Sequence, residues 1–187
     1  WNTMLYRGVA RALFALEPAT GKVRWSHGAE FSAASLAIAE GKAVFVDAKG
    51  ALTALDARTG APAWSVPAGL PEGAVIARAA LYGGKVWVLY SKLGKKTGDA
   101  STILTAGLNT RELAAFAAAD GKRLFIPDLG GGIAGFTFSG NTLLGAGQHG
   151  EGSAAASAET GKLLWRVAGN LKCTPSLATP HYLVQRG

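Results

Sequence analysis

Cysteine is almost absent from the sequence, and long apolar runs are absent altogether. The single cysteine, Cys173, excludes an internal disulfide and a cysteine-rich metal or redox site. No stretch approaches the roughly 20 apolar residues that a membrane-spanning helix needs, and no charged segment with a following apolar run stands at the start. We therefore expect no transmembrane segment. Because the chain starts at Trp1 rather than Met, we expect an upstream segment to have been removed or left out.

Acidic residues are also few, since 12 Asp and Glu stand against 19 Lys and Arg and give a net charge of +7. Such a charge permits binding to nucleic acid or to an anionic membrane surface. The basic residues are scattered, however, and their densest group is Lys92, Lys95 and Lys96. No basic strip with interspersed aromatic residues accompanies them. We expect no nucleic-acid partner.

Glycine is abundant instead. The chain has 26 glycines, roughly twice the usual share of about 7%. Short runs of Val, Leu, Phe and Ala are separated by Gly, Asp and Asn throughout, whereas long segments with a helical period are hard to find. The sequence therefore predicts an all-β fold with many turns.

Three segments of the chain repeat one pattern. Residues 15–25 read ALEPATGKVRW, residues 54–64 read ALDARTGAPAW and residues 155–165 read AASAETGKLLW, so Thr, Gly and Trp hold the same places in each. The first two Trp are 39 residues apart, close to the roughly 40 residues of a four-stranded propeller blade. The second gap is 101 residues, which fits two longer or degenerate blades better than one.

The second copy indicates how the unit folds. Residues 43–48 and 51–57 predict two strands, and Thr59-Gly60 predicts a tight turn into the strand that carries Trp64. The unit is a three-strand meander. Since a small twisted sheet cannot bury both faces alone, a large flat side chain at a fixed place should pack against the neighbouring sheet. The candidates for that role are Trp25, Trp64 and Trp165.

The turn before each Trp has two requirements. Gly60 supplies the positive φ that closes the hairpin, and the carboxylate of Asp56 accepts hydrogen bonds from turn amides. The matching residues are Gly21 and Glu17 in the first copy, and Gly161 and Ser157 in the last. Because Ser157 replaces the acid and Glu159 stands two residues on, we expect the last turn to be held more weakly or differently.

The pattern Ala-x-Asp-x-x-Thr-Gly-x-x-x-Trp, nearly complete in residues 54–64, resembles the tryptophan-docking repeat of quinoprotein-type (PQQ-like) β-propellers. The resemblance implies a β-propeller of four-stranded antiparallel blades. The family includes the dehydrogenases that use pyrroloquinoline quinone, and non-catalytic propellers such as the lipoprotein of the bacterial outer-membrane protein assembly machine. We place this chain nearer the non-catalytic type.

The resemblance implies that residues 1–187 form one propeller segment of about four blades. We expect these at residues 1–30, 31–70, 71–125 and 126–170, with the start of a further blade at 171–187. Such a chain would be part of a propeller of seven or eight blades, and a closed four-bladed ring is the competing arrangement.

The pattern decays between residues 71 and 152. Runs at 85–90, 101–107, 122–128 and 133–138 still predict strands, and residues 93–100 predict an exposed loop. Residues 110–119 (TRELAAFAAA) fit either a short helix or a degenerate strand.

The residues with possible chemistry are scattered. By resemblance, a quinone-dependent dehydrogenase should show a vicinal Cys-Cys pair, a Trp floor for its cofactor, a metal ion held by Glu, Asn and Asp, and an Asp base. The Cys-Cys pair cannot exist here, because the chain has one cysteine.

His149 and Glu151 are only weak candidates for metal ligands, because two ligands are too few and a solvated glycine-rich turn explains them. The LGGG run at 129–132 lacks the rest of a phosphate loop. Cys173, beside Lys172, fits either a reactive or a buried thiol.

We therefore assign no catalytic, cofactor-binding or firm metal residue, and no cofactor. The sequence predicts a non-enzymatic binding or scaffold propeller, periplasmic or associated with the cell envelope, that holds protein partners through blade loops or an open strand edge. The rest of its own propeller or a second chain would complete the ring. The alternative is a fragment of a PQQ-dependent dehydrogenase whose cofactor site lies outside this chain.

Overall fold

The structure is a computed structural model, and it describes residues 9–91, 111–130, 133–147, 152–168, 177–178 and 183–184. Within these ranges the chain forms β-strands and one 3₁₀ turn at Ala33–Ser35. The strands are β1 (Val9–Leu16), β2 (Val23–Ser32), β3 (Ala37–Ala39), β4 (Lys42–Val46), β5 (Ala51–Asp56), β6 (Pro62–Pro67), β7 (Val75–Tyr82), β8 (Lys85–Ser91), β9 (Arg111–Ala117), β10 (Arg123–Phe125), β11 (Ile133–Ser139), β12 (Thr142–Gly147), β13 (Ser153–Ser157), β14 (Leu163–Val167), β15 (Leu177–Ala178) and β16 (Leu183–Val184).

These strands form five consecutive antiparallel sheets. The first sheet contains β1 and β2, the second β3 to β6, the third β7 to β10, the fourth β11 to β14, and the fifth β15 and β16. Within each sheet, every strand pairs with the next along the chain, so every four-stranded sheet is a meander. The predicted all-β class is confirmed.

The ambiguous segment at residues 110–119 contributes a strand, since Arg111–Ala117 pairs with β8 on one side and β10 on the other. Two predicted features, the strand at 101–107 and the loop at 93–100, lie outside the described residues. The strand predicted at 122–128 is only three residues long, at Arg123–Phe125.

Tight glycine turns join the first two strands of the second and third sheets. Gly83 and Gly84 have φ of 60° and 69°, which suits the type I′ hairpin turn. The matching turn of the second sheet is Glu40-Gly41, where Glu40 has a φ of 51°. The carboxylate of Glu40 accepts a hydrogen bond from the Gly84 amide at 3.2 Å. The two turns are thus linked across neighbouring sheets.

Among the described residues, the core lies between the sheets, in three layers. Because side chains alternate along a strand, each central strand supplies both of its neighbours. In β4, for example, Ala43 and Phe45 pack toward the first sheet, whereas Val44 and Val46 pack toward the third. In β8, Val86 and Val88 pack toward the second sheet, and Trp87 packs toward the fourth. The chain is therefore an array of sheets stacked face to face.

Candidate functional site

The turn before Trp64 is held by one carboxylate. Asp56 accepts hydrogen bonds from the Thr59 amide at 2.8 Å, the Thr59 hydroxyl at 2.9 Å and the Arg58 amide at 3.0 Å. The hydrogen bond from the Thr59 backbone amide is the main reason that the pKa of Asp56 lies below its usual range. Gly60 closes the turn with a φ of 74°, and its amide donates to the Asp56 carbonyl.

The turn before Trp165 is held differently. The hydroxyl of Ser157 accepts hydrogen bonds from the amides of Glu159 and Thr160, both at 3.2 Å. A neutral oxygen thus takes the place of the carboxylate. In the first copy, Gly21 keeps the positive φ at 68°, while the Glu17 carboxylate lies 3.7 Å from Arg24 Nε.

The ring of each of the first two copies covers the turn of the next sheet. A Cβ atom on Gly60 would lie 2.6 Å from the Trp25 ring, and one on Gly121 would lie 2.6 Å from the Trp64 ring. The Trp25 indole N–H donates to the Ala57 carbonyl at 3.1 Å, and that of Trp64 donates to the Ala118 carbonyl at 3.1 Å. We call this packing the ring–glycine contact.

A further copy of the repeat escaped the sequence analysis. Residues 115–125 read AFAAADGKRLF, with Asp120 in the place of Thr and Phe125 in the place of Trp. The Phe125 ring makes the same ring–glycine contact, since a Cβ on Gly161 would lie 2.6 Å from it. The signal was an Asp-Gly pair followed by an aromatic residue 40 positions before Trp165.

Both ends of this series are open in the described part of the chain. Trp165 is 40% exposed and Val167, on the same face of β14, is 57% exposed. At the other end Gly21 is exposed, with nothing within 4 Å of the place a Cβ would take. Leu16 is 54% exposed, whereas Leu55, in the same place of the second sheet, is fully buried and packs with Trp25.

The outermost strands of the sheets differ in how their free edges are protected. Prolines begin and end β6, at Pro62 and Pro67, and β10 has only three residues. Arg24 and Glu30 place charges on β2. The five residues of β14 are all exposed, and Arg166 is its one charged side chain. An unprotected edge of this kind offers backbone donors and acceptors to another strand.

Two arginines join the third sheet to the fourth. Arg78 donates to the Phe136 carbonyl at 2.9 Å, and its guanidinium lies 5.0 Å from the centre of the Phe136 ring. Arg111 is buried and donates to the Ala134 carbonyl at 3.1 Å. Burial lowers the pKa of Arg111, and its Nε has no hydrogen-bond partner within the described residues. Both acceptor carbonyls belong to β11, the first strand of the fourth sheet.

No three His, Cys, Asp or Glu side chains come together to hold a metal ion in the ranges that the structure describes. His149, Glu151 and Cys173 lie outside those ranges. His27 lies in β2, with its ring centre 6.1 Å from that of Phe45. The same ranges contain no helix long and apolar enough to cross a membrane.

Comparison with solved structures shows the fold. A quinohemoprotein alcohol dehydrogenase from Comamonas testosteroni matches with a TM-score of 0.58 at 16% identity, over 93% of this chain and 36% of that one. The computationally designed protein Ika8 matches with a TM-score of 0.61 at 14% identity, over 92% of this chain and 48% of that one. Hydrazine synthase of Kuenenia stuttgartiensis matches with a TM-score of 0.62 at 9% identity, over 86% of this chain and 44% of that one. The chain spans less than half of each of these structures, and it has the β-propeller fold.

Comparison of sequences shows the family. No curated protein matches the chain. The family model described as outer membrane protein assembly factor BamB matches residues 2–106, which is more than half of the chain. The PQQ-like repeat family to which the Thr-Gly-to-Trp pattern pointed is thereby confirmed. This chain belongs to the family of the outer membrane protein assembly factor BamB.

Proposed function

We propose that this chain is a non-enzymatic binding propeller of the bacterial cell envelope, which holds a protein partner by adding an extended segment to the free edge of β14. The observation that carries the proposal is the state of that edge. Four apolar side chains of β14 are exposed, and the strand lacks the flanking prolines of β6. Membership of the BamB family supports the choice of partner class, since the family description names outer membrane protein assembly.

Strand addition suits this surface for a physical reason. The partner's backbone would pair with free N–H and C=O groups of β14, while its alternate side chains would meet the exposed apolar residues. A segment with alternating apolar residues, as in a strand of an outer-membrane barrel before it inserts, has the matching pattern. The envelope location follows from the same family membership and is part of the proposal.

The test uses a synthetic ten-residue peptide with the alternating sequence of an outer-membrane barrel strand, labelled for fluorescence anisotropy. Ala168→Pro is the blocking variant, because Ala168 follows Trp165 by three residues as Pro67 follows Trp64. The fold already accepts proline at that place of β6. We expect Ala168→Pro to weaken peptide binding at least about tenfold through loss of an edge donor.

Ala168→Ser is the matched control, because it keeps the N–H and should bind as the wild type does. Hydrogen exchange should show the amides of β14 protected by the peptide, and the amides of β10 unchanged. Equal binding by the proline and serine variants, or protection elsewhere, would contradict strand addition at β14.

The dehydrogenase alternative has a separate test. An absorbance scan and metal analysis of the full-length protein from its native host would reveal a quinone chromophore and calcium. Finding both in stoichiometric amounts would favour the enzyme, whatever the outcome of the peptide experiment. We expect neither.

A further inference from the structure

Two exposed side chains of β14 lie on the face that the third sheet meets. Leu164 and Arg166 are two residues apart, so both point away from the face of Trp165. The guanidinium lies against the segment that joins β10 to β11, since a Cβ atom on Gly130 would lie 3.1 Å from Arg166 Nη2. Leu164 is 54% exposed, and the side chain of Arg166 is 47% exposed. We call these two residues the Leu–Arg pair.

Arg166 is only loosely paired within the chain. Its Nη2 atom lies 3.8 Å from Asp128 Oδ1, which is longer than a hydrogen bond. A guanidinium has five N–H donors in a fixed fork, and a carboxylate can accept two of them side by side. The contact with Asp128 therefore leaves donors of Arg166 for a second carboxylate.

The Leu–Arg pair distinguishes β14 from the other outermost strands of the described sheets. Places are counted from the aromatic residue of each repeat. The place of Arg166 holds an uncharged residue in the other three copies, namely Ser26, Ser65 and Ile126. The place of Leu164 is filled by Arg24, Ala63 and Leu124. Among these four copies, an apolar residue followed two places later by a cation occurs on β14.

We propose that the Leu–Arg pair selects the segment that β14 binds, which carries a carboxylate opposite Arg166 and an apolar side chain opposite Leu164. This inference rests on the proposed function, strand addition at β14. Residues directly opposite each other on neighbouring strands have Cβ atoms about 4.5–5.5 Å apart, so opposite charges there attract and like charges repel.

The direction of the segment fixes the order of its two residues. All strand pairs of the fourth sheet are antiparallel, so a segment that continues the meander runs antiparallel to β14. The residue opposite Arg166 then comes first, and the residue opposite Leu164 comes two places later. The partner is thus an extended segment with the pattern acid-x-apolar.

The experiment compares ten-residue alternating peptides in the same anisotropy assay. Three peptides carry Glu, Gln or Lys two places before a central Leu and are otherwise identical. We expect the affinity to fall in that order, by about threefold at each step, because the charge pair is exposed. The preference should shrink in about 1 M salt, which screens exposed charges. A fourth peptide with the order Leu-x-Glu should bind as the Gln peptide does.

Variants of the chain locate the preference. Arg166→Gln should abolish the difference between the Glu and Lys peptides, and Arg166→Glu should reverse it. Asp128→Asn should tighten binding of the Glu peptide about twofold by removing a competing carboxylate, and should leave the Gln peptide unchanged. Lys49→Gln is the matched control, because it removes one cation from an exposed turn of the second sheet and should keep the wild-type ranking.

The outcomes separate this proposal from the proposed function. Equal affinities of the Glu, Gln and Lys peptides, with all three weakened by Ala168→Pro, would overturn the selection and leave strand addition at β14 in place. A preference for Glu that persists in Arg166→Gln would overturn the role of Arg166. Tighter binding of the Leu-x-Glu peptide would overturn the antiparallel order. Binding of none of the peptides would contradict both proposals.

Discussion

The indole of Trp64 occupies the space over Gly121 that any side chain at position 121 would need. A Cβ atom there would lie 2.6 Å from the ring and 2.7 Å from Val66. The glycine also has a φ of 76°, a conformation that other residues adopt at a cost. Two separate physical reasons therefore require glycine at this place, and they can be measured separately.

We expect Gly121→Ala to lower the free energy of unfolding by about 2–4 kcal/mol, the sum of left-handed backbone strain and overpacking. The control is Gly50→Ala, since Gly50 has a φ of 81° with nothing within 4 Å and should lose only the backbone part, about 1 kcal/mol. Urea unfolding of both variants gives the difference. Equal losses of unfolding free energy in the two variants would mean that the Trp64 ring moves aside without an energetic penalty.

The all-β class and the turn chemistry could be predicted from sequence because both are local. Short apolar runs and a Thr-Gly turn carry their own signal, whereas residues 110–119 are alanine-rich without clear alternation. Pairing with β8 and β10 makes Arg111–Ala117 a strand. Arg111 has the charge of a surface residue, yet it is buried because a carbonyl of the fourth sheet accepts its N–H. Neither outcome could be predicted without knowing the neighbouring sheet.

Phe125 was missed for a different reason. The repeat pattern was defined by its tryptophan, while the physical requirement is a flat ring over a glycine, which phenylalanine also meets. Phenylalanine lacks only the N–H that Trp25 and Trp64 donate to a carbonyl. Sequence identity was therefore a narrower criterion than the packing demands, and the exposure of Leu16 and Trp165 depends on neighbours outside their own sheets.

The indole N–H of Trp64 should contribute to stability apart from the ring. We expect Trp64→Phe to lower the free energy of unfolding by about 1–2 kcal/mol, because the Ala118 carbonyl loses this donor. Trp64→Ala should lower it by about 3 kcal/mol, because the space over Gly121 is then also left empty. Urea unfolding at low protein concentration measures both. Trp165→Phe is the control, and an exposed ring of this kind should change the free energy of unfolding by under about 0.5 kcal/mol.

Asp56 should make stability depend on acid pH. Because amide and hydroxyl donors of the turn lower its pKa in the folded chain, its carboxylate stabilises the fold above the unfolded pKa, and the effect is lost as the pH falls through the lower folded pKa. We expect the Tm of wild type to fall more between pH 6 and pH 2 than that of Asp56→Ser, which copies the uncharged oxygen of Ser157. Thermal unfolding by circular dichroism measures both, and parallel curves would contradict the assignment.

Tyr90 should make stability depend on alkaline pH in the opposite sense. Burial, together with the hydrogen bond that its hydroxyl donates to Glu112 at 2.8 Å, raises the pKa of Tyr90 to about 12. Since the folded pKa lies above the unfolded one, the contribution is fully present below pH 10 and is lost as the pH rises through 12. Tyr90→Phe should lower the free energy of unfolding by about 1 kcal/mol at pH 7 and should reduce the further loss of stability as the pH rises through 12.

In a titration followed at 295 nm, Tyr90→Phe should remove the ionisation step near pH 12. Tyr82→Phe, which removes a hydroxyl bonded to the Gly140 carbonyl, should retain that step. If the step persisted without Tyr90, its assignment to this hydroxyl would be wrong.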